Sequence, residues 1–154
     1  MRWTPRRLKF ALNWYPPYLG AGVRVDRVSD DWLELDVSMK LRWYNRNAVG
    51  THFGGSLYTM VDPHFMLLLI GAIGKDYIVW DQAAQIRFRK PGKGRVHAKI
   101  RLTKADMQRI HEQTQGGQTY RPEFDLLVQD ESGDTVAEVH KILYIKRKNP
   151  IRSD

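Results

Sequence analysis

The sequence contains no cysteine among its 154 residues. A disulfide framework, a thiolate metal site and a cysteine nucleophile are therefore excluded. The absence fits a reducing compartment, and we expect a cytoplasmic protein. The basic N-terminus, Met1 to Phe10, lacks an apolar stretch followed by a small-residue cleavage site, so no signal peptide is predicted.

Acidic residues are also scarce: 17 Asp and Glu stand against 25 Lys and Arg, which gives a net charge of +8. Such an excess is typical of proteins that bind nucleic acid, an acidic membrane surface or a phosphorylated small molecule. A solvated basic surface gives the same count. The length and the 42% apolar content predict one globular domain over residues 1–154.

Alternating apolar and polar residues predict most of the strands. From Leu33 to Trp43 every second residue is apolar, which is typical of an antiparallel sheet with one dry face. Runs at 77–90 and 95–102 are separated by a turn at Pro91–Gly94, and we expect them to form a hairpin with a basic outer face. The last strand, Val136 to Ile145, loses its alternation, which indicates a bulge.

Two short helices are predicted outside the centre of the chain. Thr4 and Pro5 are suited to start a helix that Pro16–Pro17 ends, giving an N-terminal helix and loop over residues 1–20. Thr103 and Asp106 form a capping-box pattern, and residues 103–117 are either a small inserted helix or a mobile loop.

The centre of the chain is a polar loop that runs into an apolar helix. The loop meets the helix at Gly54–Gly55, and Ser56 lies near the N-cap. The residues from Leu57 to Ile73 are apolar on all sides, which indicates a buried helix. The segment is too short for a membrane span and is interrupted by polar residues. Asp62 is costly to bury there unless it is paired, solvated or used.

Together these elements predict an α+β fold in which a curved antiparallel sheet wraps a long central helix. The order of elements and the central motif resemble the hotdog fold of acyl-CoA thioesterases and dehydratases. The closest resemblance is to PaaI-type thioesterases and to a tetrameric thioesterase-like branch near them. It covers nearly the whole chain.

The PaaI-type motif is an Asn, five residues, His-Gly-Gly, and an acid seven positions after the second glycine. Asn47, Gly54–Gly55 and Asp62 match it, whereas Phe53 stands at the histidine position. The resemblance implies that Asp62 is the general base, or less readily the nucleophile, and that Asn47 orients water or the carbonyl. Alternatively, Asn47 is a turn residue and Asp62 is a buried, paired aspartate.

A helix N-terminus directs partial positive charge outward, and Gly55 lets a thioester approach the backbone. We expect the Gly55 N–H to polarise the carbonyl, with a contribution of about 3 kcal/mol. A tight turn that needs glycine for packing is the alternative. Gly55 and Asp62 are about 10 Å apart along the helix axis. This separation favours a site between two subunits, as hotdog thioesterases have.

The remaining predicted contacts concern the substrate. Coenzyme A enters as part of the substrate, and no separate cofactor is expected. Its phosphates suit the basic hairpin from Arg87 to Arg101, for which a solubilising sheet face is the alternative. His52 and His64 are possible acids or bases, but lone histidines are mostly structural, and their spacing does not suit a metal. The predicted substrate-binding residues are Phe53, Gly54, Ser56, Arg87, Arg89 and Lys90.

The sequence leaves the activity open among several classes. The primary prediction is an acyl-CoA thioesterase that forms a homodimer or homotetramer. The loss of histidine at Phe53 also fits a protein that binds acyl groups without turnover. A dehydratase on the same fold is a further possibility. A nucleic-acid binder is the least favoured, because no such motif is present.

Overall fold

The computed structural model describes residues 3–148, so the basic residues Arg2 and Arg152 lie outside the described residues. The helices are α1 (Pro5–Asn13), α2 (Pro16–Ala21), α3 (Gly54–Thr59), α4 (His64–Ile73) and α5 (Lys104–Gln113), followed by a short 3₁₀ turn (Gln115–Gly117). The strands are β1 (Val23–Val28), β2 (Glu34–Lys40), β3 (Tyr77–Phe88), β4 (Arg95–Arg101), β5 (Thr119–Tyr120), β6 (Glu123–Asp130) and β7 (Thr135–Arg147).

All seven strands form one antiparallel sheet in the order β1-β2-β4-β6-β7-β3, and β5 adds to β7. The predicted hairpin of β3 and β4 is therefore wrong, because β3 pairs with β7, whereas β4 lies between β2 and β6. The turn at Pro91–Gly94 instead carries the chain from one edge of the sheet to its middle. β3, with 12 residues, therefore lies at an edge of the sheet.

The central helix is broken into α3 and α4 at Met60–Pro63. The Asp62–Pro63 peptide bond is cis, and proline supplies no N–H for a helical hydrogen bond. The predicted apolar helix is thus present, but as two segments with Asp62 at the junction. Side chains of both segments are buried, including Leu57, Phe65 and Leu68.

The stretch Gly54–Ile73 has 20 residues and a mean hydropathy of 1.4, which is enough to cross a membrane by length and composition. Length therefore does not exclude a span, contrary to the sequence argument. The core helix of a soluble protein meets the same criteria, and 44% of the residues in this stretch's most apolar window are buried within the fold.

The sheet covers the central helix with alternate residues of its strands. Along β7 the side chains of Val139, Leu143 and Ile145 are buried on this inner face. The predicted bulge is confirmed, since Val128 pairs with Ala137 and Gln129 with Thr135, leaving Val136 as the extra residue.

The short helices form as their end signals predict. The Thr4 hydroxyl accepts a hydrogen bond from the Arg7 N–H at 3.3 Å, and the capping box of Thr103 and Asp106 is complete. The inserted segment is therefore helical rather than a loop. Pro16 does not merely end α1, because it is also the first residue of α2. Leu8 and Leu12 bury one face of α1 against the core.

Candidate active site

Asp62 lies at the break between α3 and α4. Its Oδ1 atom accepts hydrogen bonds from the Lys141 Nζ at 2.6 Å and from the Tyr58 hydroxyl at 3.3 Å. The Asp62 carbonyl accepts a third bond from the buried Tyr18 hydroxyl at 2.5 Å. The carboxylate is thus fixed on one side, while 39% of its side chain stays exposed. Such a group is oriented and still accessible.

Lys141 is fully buried in the inner row of β7 between Val139 and Leu143. Its Nζ lies 3.2 Å from Asp81 Oδ1 as well as 2.6 Å from Asp62 Oδ1. Burial acts to lower the pKa of Lys141, but its hydrogen bond to Asp62 and the nearby carboxylates outweigh burial and raise the pKa. The lysine therefore remains charged between two carboxylates.

Asp81 is the second carboxylate of this group, and it comes from β3. The pairing of β3 with β7 shifts between Asp81 and Ala83, so Gln82 is an extra residue at this point. Burial raises the pKa of Asp81; Lys141 opposes this effect and the negative charge of Asp62 adds to it. We call Asp62, Asp81 and Lys141 the buried ion cluster.

The sequence analysis did not single out Asp81 and Lys141. A signal was present in the sequence. Lys141 falls in the same alternating series as the apolar residues Val139, Leu143 and Ile145 of β7. A lysine in the apolar phase of a strand needs a buried counter-ion. The lost alternation was attributed to the bulge alone.

The start of α3 is closely packed by two aromatic rings. A Cβ atom on Gly54 would lie 2.9 Å from the Phe88 ring, and one on Gly55 would lie 2.5 Å from the Phe53 ring. A side chain at either position would require one of these half-exposed rings to move, which agrees with the packing alternative stated above. Phe53 gives no side-chain cap, so the N–H groups of the first turn depend on a ligand or water. Ser56 is buried in this turn.

Asn47 organises the loop that leads to α3. Its Oδ1 accepts hydrogen bonds from the N–H groups of Val49 and Thr51 at 3.1 and 3.0 Å. Its Nδ2 donates to the Thr51 hydroxyl at 2.9 Å. Both ends of the amide are thus engaged within the loop, as in the turn interpretation. Its predicted role toward water or substrate remains a prediction.

The two candidate histidines are held by backbone carbonyls. The Nε2 of His52 lies 3.0 Å from the Gly94 carbonyl, and that of His64 lies 3.0 Å from the Met60 carbonyl. Burial lowers the pKa of His52 and lowers that of His64 to about 4. Within residues 3–148, no group of three or more His, Asp and Glu side chains is placed to hold a metal ion.

The predicted phosphate-binding residues lie on the outer face of the sheet. Arg87 is paired with Glu138 across the strands, and Arg89 forms an ion pair with Glu138 at 2.5 Å. Lys90 lies 2.7 and 2.6 Å from Asp130 and Asp134. These three residues are therefore separated from Asp62 by the sheet. They lie in or just after the last residues of β3, at the end of the strand nearest the start of α3.

One chain does not bring the start of α3 and Asp62 together. Gly54 packs on Phe88. Asp62 is linked through Lys141 to Asp81, which lies seven residues before Phe88 on β3. Between them the inner face of β3 is open, since Ala84 lies opposite the buried Lys141 and is itself exposed. We use the name cleft for this exposed strip on the inner face of β3, which runs from the start of α3 toward Asp62.

Solved structures with this architecture are numerous. A Pseudomonas aeruginosa protein described as of unknown function, "probable thioesterase", has a TM-score of 0.79 at 20% identity, with 93% of this chain and 96% of that chain covered. A thioesterase from Haemophilus influenzae has a TM-score of 0.69 at 11% identity, with 99% and 96% covered. PaaI of Escherichia coli, from its phenylacetic acid degradation operon, has 0.58 at 18%, with 86% and 83% covered.

These structural similarities show the fold. At such low identities they do not show the reaction. A comparison with curated proteins finds no significant match. A family described as "Domain of unknown function (DUF4442)" matches residues 5–145, nearly the whole chain. The protein therefore has the hotdog fold that its sequence resembles, and it belongs to this DUF4442 family.

Proposed function

We propose that the protein is a thioesterase that hydrolyses acyl-CoA thioesters at sites formed between two subunits. The observation that carries the proposal is the state of Asp62, which is fixed by Lys141 and Tyr58 through one oxygen yet 39% exposed. A carboxylate held in this way can accept a proton from water in the adjoining cleft. The structural likeness to proteins described as thioesterases supports the same reaction.

Pairing of two subunits through the edge strand β3 would complete the site. A long edge strand with exposed apolar side chains such as Ile78 and Trp80 favours pairing with another strand. If two copies of β3 pair antiparallel about a twofold axis at Ala84, the end of one strand that carries Phe88 lies beside the Trp80–Asp81 end of its partner. The start of α3 in one chain then lies near the carboxylate of the other.

In this arrangement the reactants are the acyl-CoA substrate and one water molecule. Asp62 takes a proton from water as the water oxygen attacks the thioester carbon. The Gly55 N–H stabilises the oxyanion of the tetrahedral intermediate. Collapse breaks the C–S bond, and the protonated Asp62 returns the proton to the leaving thiolate. The products are the carboxylic acid and free coenzyme A. Lys141 keeps the Asp62 carboxylate facing the cleft.

In the proposed dimer, the basic residues at the end of β3 contact the phosphates of coenzyme A. Arg89 and Lys90 directly follow Phe88, whose ring packs on the α3 start. Their present partners are surface carboxylates, and exposed ion pairs of this kind exchange readily with a phosphate ligand. Arg87 adds a third cation on the same strand. We propose that these residues hold the nucleotide end of the substrate.

The test is thiol release from a panel of short-chain, long-chain and aryl acyl-CoA substrates. We expect turnover on at least one of them and a loss of about 100-fold or more in kcat in Asp62→Asn, because proton transfer contributes about that much. Asp125→Asn is the matched control, since Asp125 is exposed on the outer face and pairs with His140. It should retain wild-type activity. Full activity in Asp62→Asn would disprove this mechanism.

A second candidate, acyl-CoA binding without hydrolysis, is favoured by one observation. The Phe53 ring lies against Gly55, at the backbone that the thioester would need to approach. If the ring stays there, the substrate is held in the cleft but its carbonyl is not polarised. Titration calorimetry on the same panel separates the two functions, because this candidate gives saturable binding with no thiol release from the wild type.

A further inference from the structure

Helix α1 has a second apolar face that the fold does not use. Leu8 and Leu12 are buried against the domain, whereas Phe10 and Trp14 are 67% and 66% exposed. The two exposed rings lie one helical turn apart and contact each other, with centroids 6.2 Å apart. Trp3, just before the helix, is 52% exposed. Large aromatic side chains grouped on an outer face indicate a binding surface.

A second group of exposed apolar side chains lies in a loop that is joined to α2, the helix that follows α1. The loop that follows β2 exposes Trp43 at 80% and Val49 at 79%. It is tied to the end of α2 by a hydrogen bond from Asn45 Nδ2 to the Ala21 carbonyl at 2.9 Å. Leu19 of α2 is 50% exposed. We use the name aromatic surface for Trp3, Phe10, Trp14, Leu19, Trp43 and Val49.

The two chain segments that carry the aromatic surface contain basic residues and no acids. Residues 3–25 contain four basic residues and no Asp or Glu, and residues 37–61 contain three basic residues and no Asp or Glu. The acids nearest to the N-terminal segment begin at Asp26, which pairs with Arg24. The aromatic surface therefore favours an anionic partner.

We propose that the aromatic surface binds the surface of an anionic lipid bilayer, with α1 lying in the plane of the headgroups. Helices that bind in this way carry Trp, Phe and Leu on one face with Arg and Lys beside them. Tryptophan prefers the boundary between headgroups and acyl chains. The aliphatic members Leu19 and Val49 suit lipid better than single-stranded nucleic acid, whose bases stack on aromatic rings. The inference is independent of the proposed hydrolysis.

The test is co-sedimentation of the full chain with vesicles. One set contains phosphatidylcholine alone, and the other contains phosphatidylcholine mixed with phosphatidylserine. We expect binding to the mixed vesicles, a blue shift of tryptophan emission, and release when the ionic strength is raised. The triple variant Phe10→Ser, Trp14→Ser and Trp43→Ser should lose about tenfold or more of the affinity. Because these side chains are exposed, the variant should fold normally.

The matched control is Leu127→Ser, which removes an exposed apolar side chain (45% exposed) from the outer face of the sheet. It should bind the mixed vesicles like the wild type. Three results would overturn the proposal: no binding to mixed vesicles, equal loss in the control, or dissociation of an oligomer by the triple variant, which would assign the surface to a second copy. Binding of single-stranded oligonucleotides in place of vesicles would also overturn it.

Discussion

Two lysines in this protein each bridge a pair of aspartates, one inside the fold and one on its surface. Lys141 lies 2.6 and 3.2 Å from Asp62 and Asp81 and is fully buried. Lys90 lies 2.7 and 2.6 Å from two aspartates at the β6–β7 turn, and 38% of its side chain is exposed. The contact geometry is nearly the same, but Lys141 has no contact with water, whereas Lys90 does.

The difference separates two uses of an ion pair. At the surface, water and salt screen the charges, and the pair adds little to stability. In the interior Lys141 depends on its carboxylates, because its ammonium group is fully buried and has no water to replace them. The interior pair also fixes one oxygen of Asp62 beside the cleft, whereas the surface pair leaves its members free to exchange. Orientation of the Asp62 carboxylate is thus the gain that the buried ion cluster provides.

The largest effect is expected for Lys141→Met. Removal of the lysine leaves two carboxylates close together in the interior, and such a loss destabilises a protein by about 3–5 kcal/mol. The free energy of unfolding, measured by urea titration with circular dichroism, should fall by that amount at pH 7. Lys90→Met removes the same side chain from the surface arrangement, and its unfolding midpoint should not differ measurably from that of the wild type. Equal effects of the two variants would mean that burial does not distinguish them.

A somewhat smaller effect is expected from pH through His64, which packs beside the buried ion cluster. The pKa of His64 is about 4 in the fold against 6.5 for the free side chain, because burial disfavours its charged form. The unfolded chain therefore binds the extra proton first, and stability is lost as the pH falls from 6.5 to 4. The loss should reach about 3 kcal/mol at pH 4.

The surface arrangement responds in a different pH range. The hydrogen bond from Lys90 lowers the pKa of Asp130, so its contribution is lost only as the pH falls below the usual range of an aspartate. Urea titrations between pH 7 and 4 thus report mainly on the interior. His64→Asn should flatten this part of the curve, and a slope that is unchanged in the variant would contradict the assignment to His64.

Local features of the fold were predictable from the sequence. The Thr4 cap, the capping box of Thr103 and the bulge near Val136 depend on neighbours in the chain, and each forms as predicted. The strands themselves follow from alternation. Their partners do not, because residues 77–90 and 95–102 alternate in the same way whether or not they pair with each other. The predicted hairpin was wrong for this reason.

The candidate site was predictable only in part. Asp62 was identified because a charge inside an apolar helix is unusual, but its partner was not, since Lys141 lies 79 residues away in sequence. Asp81 and the cis bond before Pro63 depend on the tertiary fold, and no local pattern points to either.

The smallest effect is expected for Asp81→Asn, and its sign tests how the buried ion cluster is balanced. The cluster has two carboxylates for one lysine, so one negative charge is in excess when both are ionised. Burial raises the pKa of Asp81 in the fold, which means that the folded chain binds this proton more tightly than the unfolded chain. Wild-type stability therefore falls as the pH rises from the usual pKa of aspartate to the raised one.

The Asp81→Asn variant keeps the shape of the side chain and removes this titration. We expect it to match the wild type in acid and to become more stable than the wild type toward neutral pH, by less than the loss in Lys141→Met. Urea titrations of both proteins across this range measure the difference. If the variant is instead less stable at pH 7, Lys141 needs both carboxylates, and the interior arrangement is a balanced network rather than an ion pair with one excess acid. Because Asp62 retains its bond to Lys141 in either case, its orientation toward the cleft should be unchanged.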